Sequence, residues 1–266
     1  VLNETRRFDA ESSLTVMAGD QRQFARSTPS VTTTDKPYGL VIASLIMAVW
    51  AISLVLLLRV DWHTQPVVWI IPAVLWQTFL YTGLFITAHD AMHDCVAPQC
   101  LQLNHIIGRL ALLLYGYLPY HKLRTAHWQH HQNPASDRDP DFHHDKKAHR
   151  LLWYVRFMTR YWGWRQCLGI TATYHLMHQV LQVAEPNLVL FWAVPSLLSS
   201  WQLFYFGTFL VHREPANGYQ NIFRANSTYR PYVWSFVTCY HFGYHAEHHE
   251  YPDVPWWQLP TITNRT

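Results

Sequence analysis

Twenty-one consecutive residues, Tyr38 to Leu58, carry no charged side chain. At the 1.5 Å rise of a helix they cover the roughly 30 Å hydrocarbon core of a bilayer. Two further runs behave alike. Val67 to Ile86 has Gln77 as its most polar member, and Leu188 to Val211 is interrupted in character by Pro195 and the Ser199-Ser200 pair. Gln166 to Ala184 is a weaker candidate, because His175, His178, Gln179 and Gln182 fall within it. Ile106 to Leu118 is apolar but short and contains Arg109, so an interfacial or re-entrant helix is expected there. Backbone groups in lipid must be satisfied internally. The chain therefore reads as an all-α integral membrane protein with about four transmembrane helices plus interfacial helices.

The basic residues orient these spans. Of 20 Lys and Arg, five precede Pro37, nine lie in 119–165 and four follow His212, whereas 59–66 holds only Arg59 and 185–187 holds none. By the positive-inside rule the N-terminal arm, the long middle stretch and the C-terminus are cytoplasmic, which requires four crossings. Residues 1–36, with mixed charges and no apolar period, are expected to form a polar, disordered arm without a signal-peptide pattern; 37–266 is the membrane domain. A net charge of +3 without a basic cluster excludes nucleic acid as a partner. Cys95, Cys100, Cys167 and Cys239 form neither a CxxC pair nor a disulfide framework, which fits a reducing compartment.

The unusual count is histidine, 18 residues against 20 Lys and Arg. They gather where the spans emerge on the cytoplasmic side: His89 and His93; His127, His130 and His131; His212; and His245, His248 and His249. Spacings of three and four put side chains on one helical face, so HxxxH and HxxHH aim two or three imidazoles at one point. A lone HxxxH is more often an ordinary core feature. Nine such histidines are too many for one ion and suit two metals with open positions, although imidazole alone does not select the metal. His241, one turn before His245, is either a second-shell partner or an extra ligand. Asp90, Asp137, Asp139, Asp141 and Glu247 are candidates to hold the far N–H of a ligating ring, while Asp139-Pro140-Asp141 is also good turn chemistry. His143, His144 and His149 are expected in solvent among Asp145, Lys146, Lys147 and Arg150. His175 and His178 are open between structural pairing and ligation.

Histidine boxes on a four-span frame resemble the membrane fatty acid desaturase and hydroxylase superfamily. Within it, the stretches Leu75 to His93, Gln202 to Leu210, Trp234 to His249, and Tyr251-Pro252 with Pro255 to Pro260 resemble the bacterial and cyanobacterial β-carotene ketolases, over roughly 38–260. Asp94 stands where the resemblance leads one to expect glycine, and Val211 where it leads one to expect proline. The resemblance implies a desaturase-like catalytic domain at 37–266 with two iron ions at a cytoplasmic-face histidine site, and O2 as co-substrate. It implies reduced ferredoxin or a similar electron donor, a lipid bilayer setting in a bacterial inner or cyanobacterial membrane, and a carotenoid substrate. The implied reaction places keto groups at C4 and C4′ of β-ionone rings, taking β-carotene to echinenone and canthaxanthin and, on hydroxylated rings, zeaxanthin to astaxanthin. Phe79, Tyr81, Phe85, Phe204, Tyr205 and Phe206 are expected to line a substrate channel. The rivals are a fatty-acyl desaturase or hydroxylase, a carotenoid hydroxylase and, in another class, a membrane metal transporter. Transporters hold ligands near the midplane on broken helices.

Overall fold

The computed structural model describes residues 38–61, 64, 66–143 and 149–262; the arm 1–36 and His144 lie outside them. The described chain is helical throughout its regular structure. Three helices are long and apolar enough to cross a membrane: Tyr38–Leu58 (α1), Val67–Met92 (a 3-10 turn, Val67–Trp69, running into α2, Ile70–Met92) and Glu185–His212 (α7). Between them lie α3 (Leu101–Gly116), α4 (Tyr120–Gln132), α5 (Arg150–Tyr161) and α6 (Trp164–His175). Three short helices follow: α8 (Tyr232–Cys239), α9 (His245–Glu250) and α10 (Leu259–Ile262).

α2 is the axis of the fold and packs against α1, α3 and α7. Its first turns expose Val67, Val68, Ile71 and Leu75, as a lipid-facing surface does, whereas Leu80 to Met92 is buried apart from a partly exposed Phe85. In lipid, apolar contact discriminates weakly between helix faces, so polar side chains and small residues decide packing. Ser53 Oγ donates to Gln77 Oε1 at 2.8 Å, tying α1 to α2. Thr82 Oγ donates to Gln202 Oε1 at 2.6 Å and lies 2.9 Å from Ser199 Oγ, tying α2 to α7. Gly39 lets α1 approach backbone closely; a Cβ there would sit 2.6 Å from Val96 O and 2.7 Å from Cys95 O.

Two expectations change here. The helix carrying the second span does not stop at Ile86 but continues to Met92, because its last turns enter protein rather than water. His89 therefore belongs to the long helix, as does His212 at the end of α7. The weak span 166–184 is helical to Val180, α6 running on through a π turn at Leu176–Val180, and stops short of Ala184, with Gln182 taking a left-handed φ of 55°. α7 itself contains π turns at Val189–Ala193 and Tyr205–Phe209. The first precedes Pro195, whose missing N–H cannot continue an α ladder. α3, at 16 residues, is too short to span and packs along α2.

Candidate metal centre

The end of α2 fixes the first histidine pair. His89 and His93 lie one turn apart, and Asp94 takes φ 61°, the left-handed conformation that usually calls for glycine at a helix C-terminus. Aspartate tolerates it because its short polar side chain bonds locally; here Asn104 Nδ2 (3.2 Å) and Arg124 (3.4 Å) contact the carboxylate. A helix end leaves carbonyls without partners, and α3 and α4 supply them. Ala91 O accepts from Asn104 Nδ2 and from Tyr120 OH, both at 2.7 Å. Met92 O accepts from Trp128 Nε1 at 3.0 Å and Arg124 Nε at 3.2 Å. These bonds clamp α4 against the end of α2, bringing His127, His130 and His131 opposite His89 and His93. None of these caps was singled out from sequence; a Trp and an Arg spaced to the helical repeat of the HxxHH box were the available signal.

The last box is positioned by a chain reversal. Tyr240 and His241 both have positive φ (46° and 59°), turning the chain after α8. Thr228 N–H then donates to Gly243 O (2.8 Å) and Ala246 N–H to Ser227 Oγ (3.0 Å). Glu247 accepts from Ser227 and from Tyr229 OH (2.7 Å). Glu247 thus holds its own loop and bonds no histidine ring, contrary to the role expected for it.

The nine histidines converge. His89, His93, His127 and His248 each offer a ring nitrogen within 4.8 Å of the others, as do His130, His212, His245 and His249. His131 lies between the groups, with Nε2 3.1 Å from His127 Nε2 and 3.0 Å from His248 Nε2, and its ring stacked on His249 at 4.2 Å. Other facing Nε2 pairs are His93–His127 and His212–His245, each 2.7 Å, and His130–His249, 3.2 Å. Imidazoles at about 2.1 Å from one ion have adjacent nitrogens about 3 Å apart, so the observed spacings suit ions between the rings.

Tautomers follow from the far nitrogens. His130 Nδ1–H donates to Asp139 Oδ2 (2.9 Å) and His212 Nδ1–H to Arg224 O (3.2 Å), which leaves each Nε2 as a lone pair facing the group. Asp139 is itself fixed by N–H bonds from Ala135 and Asp141, both 2.8 Å. Burial, then neighbouring histidines, holds His93, His127, His131, His245, His248 and His249 well below the usual imidazole range, in the neutral form a metal requires. Burial opposes protonation of His130 too, but the Asp139 carboxylate outweighs it and raises that ring. His89 supplies the test of fit. Both ring nitrogens are buried without a hydrogen-bond partner, with Nδ1 3.6 Å from Asp90 Oδ1. An orphaned buried polar atom costs about 1–3 kcal/mol, and a cation among four facing imidazoles removes that cost for the one nitrogen that faces it. The donor set fits a metal.

The other expected residues have other partners. His241 is in neither group; Tyr232 (4.5 Å), Phe236 and Trp256 surround its ring. Asp90 accepts from Trp256 N–H at 3.2 Å, Asp137 is exposed, and Asp141 accepts from Tyr161 OH. His175 and His178 bond Gln179 and Val183 O and stand apart from both groups. His143, expected in solvent, is 7% exposed and lies 6.3 Å from the Trp153 ring, because α5 covers it. His149 is exposed, as expected, and caps α5.

One cavity reaches both groups. His89, His127, His130 and His245 form its polar end; Phe85, Leu118, Leu123, Phe157, Leu203 and Phe242 are among the apolar side chains of its wall. Of the six expected channel residues only Phe85 lines it. Phe79 stacks on Tyr240 (4.4 Å), Tyr81 meets Trp50 edge-on, Phe204 packs on Tyr154, Tyr205 stacks on Phe209, and Phe206 lies under Arg230. They pack on other segments or, for Tyr205, along α7 itself, because aromatic content does not encode helix rotation.

Comparison with known proteins agrees with this geometry. The fatty acid desaturase family model matches residues 158–266. A β-carotene ketolase of Paracoccus sp. (strain N81106 / MBIC 01143) is 38% identical over 228 residues, covering 85% of this chain and 92% of that protein. A β-carotene ketolase of Haematococcus lacustris is 43% identical over 188 residues, 68% of this chain and 58% of the relative, so the chain spans little more than half of that relative's length. A zeaxanthin 4-ketolase of Chlamydomonas reinhardtii is 37% identical over 239 residues, 84% of this chain and 52% of the relative.

Proposed function

The chain belongs to the β-carotene ketolase family, and from that premise we propose that it is a membrane-bound, O2-dependent oxygenase placing keto groups at C4 of β-ionone rings. The observation that carries this reading is an apolar-walled cavity lined by imidazoles of both histidine groups. Its wall suits a hydrocarbon ring rather than a polar head. A carotenoid is about as long as a membrane is thick, so a ring reaches such a site only if the site lies at the membrane face.

His89, His93, His127 and His248 hold one metal in this reading, His130, His212, His245 and His249 the other, with His131 bordering both. Two irons supply the O2 activation that no side chain can, and a reduced ferredoxin or similar donor supplies electrons. The protein's own contribution is positional. Asp139 and Arg224 O orient two rings; Phe242, 4.6 Å from the His89 ring, and Leu203 keep water from the ring pocket. The fourth crossing runs through 166–184, which puts the histidine ends of α2 and α7 on the cytoplasmic side with the basic middle stretch.

Expression in a β-carotene-producing bacterium under labelled O2, with pigments resolved by mass, tests the proposal. Carotenoids should gain ketone oxygen carrying label in freshly isolated material. Carotenoids left unchanged while membrane acyl chains become two hydrogens lighter would overturn it in favour of a desaturase.

A further inference from the structure

The cavity wall contains one acidic side chain, Asp141, on the loop between α4 and α5. Its surroundings are built. Oδ1 accepts from the hydroxyl of Tyr161, the last residue of α5, which also lines the cavity. The Asp141 carbonyl accepts from Trp153 Nε1 at 2.9 Å, and its N–H donates to Asp139 Oδ1, the carboxylate that orients His130. Asp141 Oδ2 has no hydrogen-bond partner among the described residues. The other polar groups of the wall are committed or neutral: Ser200 Oγ donates to Leu197 O (2.8 Å), Tyr115 OH lies 3.3 Å from Ser199 Oγ, and Thr208 offers one hydroxyl. A plain β-ionone ring has nothing to offer this carboxylate. A ring that already carries oxygen does.

Resting on the ketolase reading, we propose that Asp141, held by Tyr161, binds the hydroxyl of a partly oxidised ring. The hydroxyl donates to the free carboxylate oxygen, keeping that carbon beside His130 and His245 for its second oxidation. No bond is made or broken by Asp141. Burial pushes its carboxyl up to about 6, so at pH 7 it remains mainly an acceptor.

The test uses the full chain in membranes supplied with O2 and electron donor, with β-carotene and its 4-hydroxylated derivative as probes. Asp141→Asn keeps the side-chain shape and an oxygen for Tyr161, but replaces the charged acceptor with a neutral amide. Trading a hydrogen bond to a charged group for a neutral one is worth about tenfold. The KM for the hydroxylated probe should rise about tenfold relative to that for β-carotene, with 4-hydroxy product accumulating ahead of ketone and iron per chain unchanged. Asp141→Glu, which restores the carboxylate, should recover part of the preference. A uniform loss on both probes, lost iron, or an unchanged KM ratio would each overturn the inference while leaving the ketolase reading in place. A wild-type protein that forms no C4 product would overturn that reading and this inference with it.

Discussion

His130 and His212 each use one ring nitrogen to hold an oxygen and present the other to the cluster, and this division of labour makes a residue-level prediction. Removing an outer partner of a metal-ligating ring lowers metal affinity or activity about 10- to 100-fold. Asp139→Asn should therefore lower bound iron and turnover together, whereas Asp137→Asn, at an exposed position, should leave both near wild type. Iron by mass spectrometry beside pigment yield checks the pair; equal losses at both positions would show that the loop as a whole, not one carboxylate, matters. His241 gives a second contrast. Its ring is enclosed by Tyr232, Phe236 and Trp256 rather than by other ligands, and its φ of 59° suits asparagine. His241→Asn should keep wild-type iron content, and loss of one iron would make it a ligand after all.

At the scale of elements, the glycine of α1 matters more than its hydropathy. Gly39→Ala drives a Cβ into the backbone carbonyls of Cys95 and Val96, just beyond His93, where no flexible side chain can yield. Overpacking of this kind costs about 1–3 kcal/mol. The thermal midpoint should fall and the His89–His93 turn should bind iron less tightly, while Gly218→Ala, with open space around it, should cost only the strain of its φ of 74°. The reach of sequence reading differs by element. Tyr38 to Leu58 was legible in full because lipid imposes one requirement, apolarity, on every face. The end of α2 was not, since Thr87, His89 and Asp90 lose no hydropathy penalty until protein surrounds them. The nine histidines were legible from spacing, but their division into two groups depends on caps such as Asn104, Tyr120 and Trp128 that join distant segments. The cavity lining was largely illegible, because rotation of α2 and α7 is set by bonds such as Thr82 to Gln202. His143 was misread because charged neighbours in sequence suggested solvent, whereas α5 lies over it.

For the whole molecule, charge asymmetry predicts that both ends of the chain and the stretch 119–165 share the cytoplasmic side. With exposed Cys100 and Cys167 replaced by serine, a cysteine at Lys146 should react only with reagent admitted to the cytoplasm, and one at Glu185 only with reagent outside. Labelling of position 185 from the cytoplasm would leave the three described long helices intact but remove the fourth crossing, whereas labelling of position 146 from outside would reverse the orientation. The central claim is that two sets of four imidazoles, with His131 at their border, form two metal sites on one cavity. Iron per chain in the purified, active protein tests it most directly, read beside the same measurement on His245→Ala and His93→Ala, each of which removes a ligand from a different group. Two irons per chain in the wild type, with each variant losing metal, is the predicted result; full activity with a single metal per chain, or with zinc alone, would contradict it.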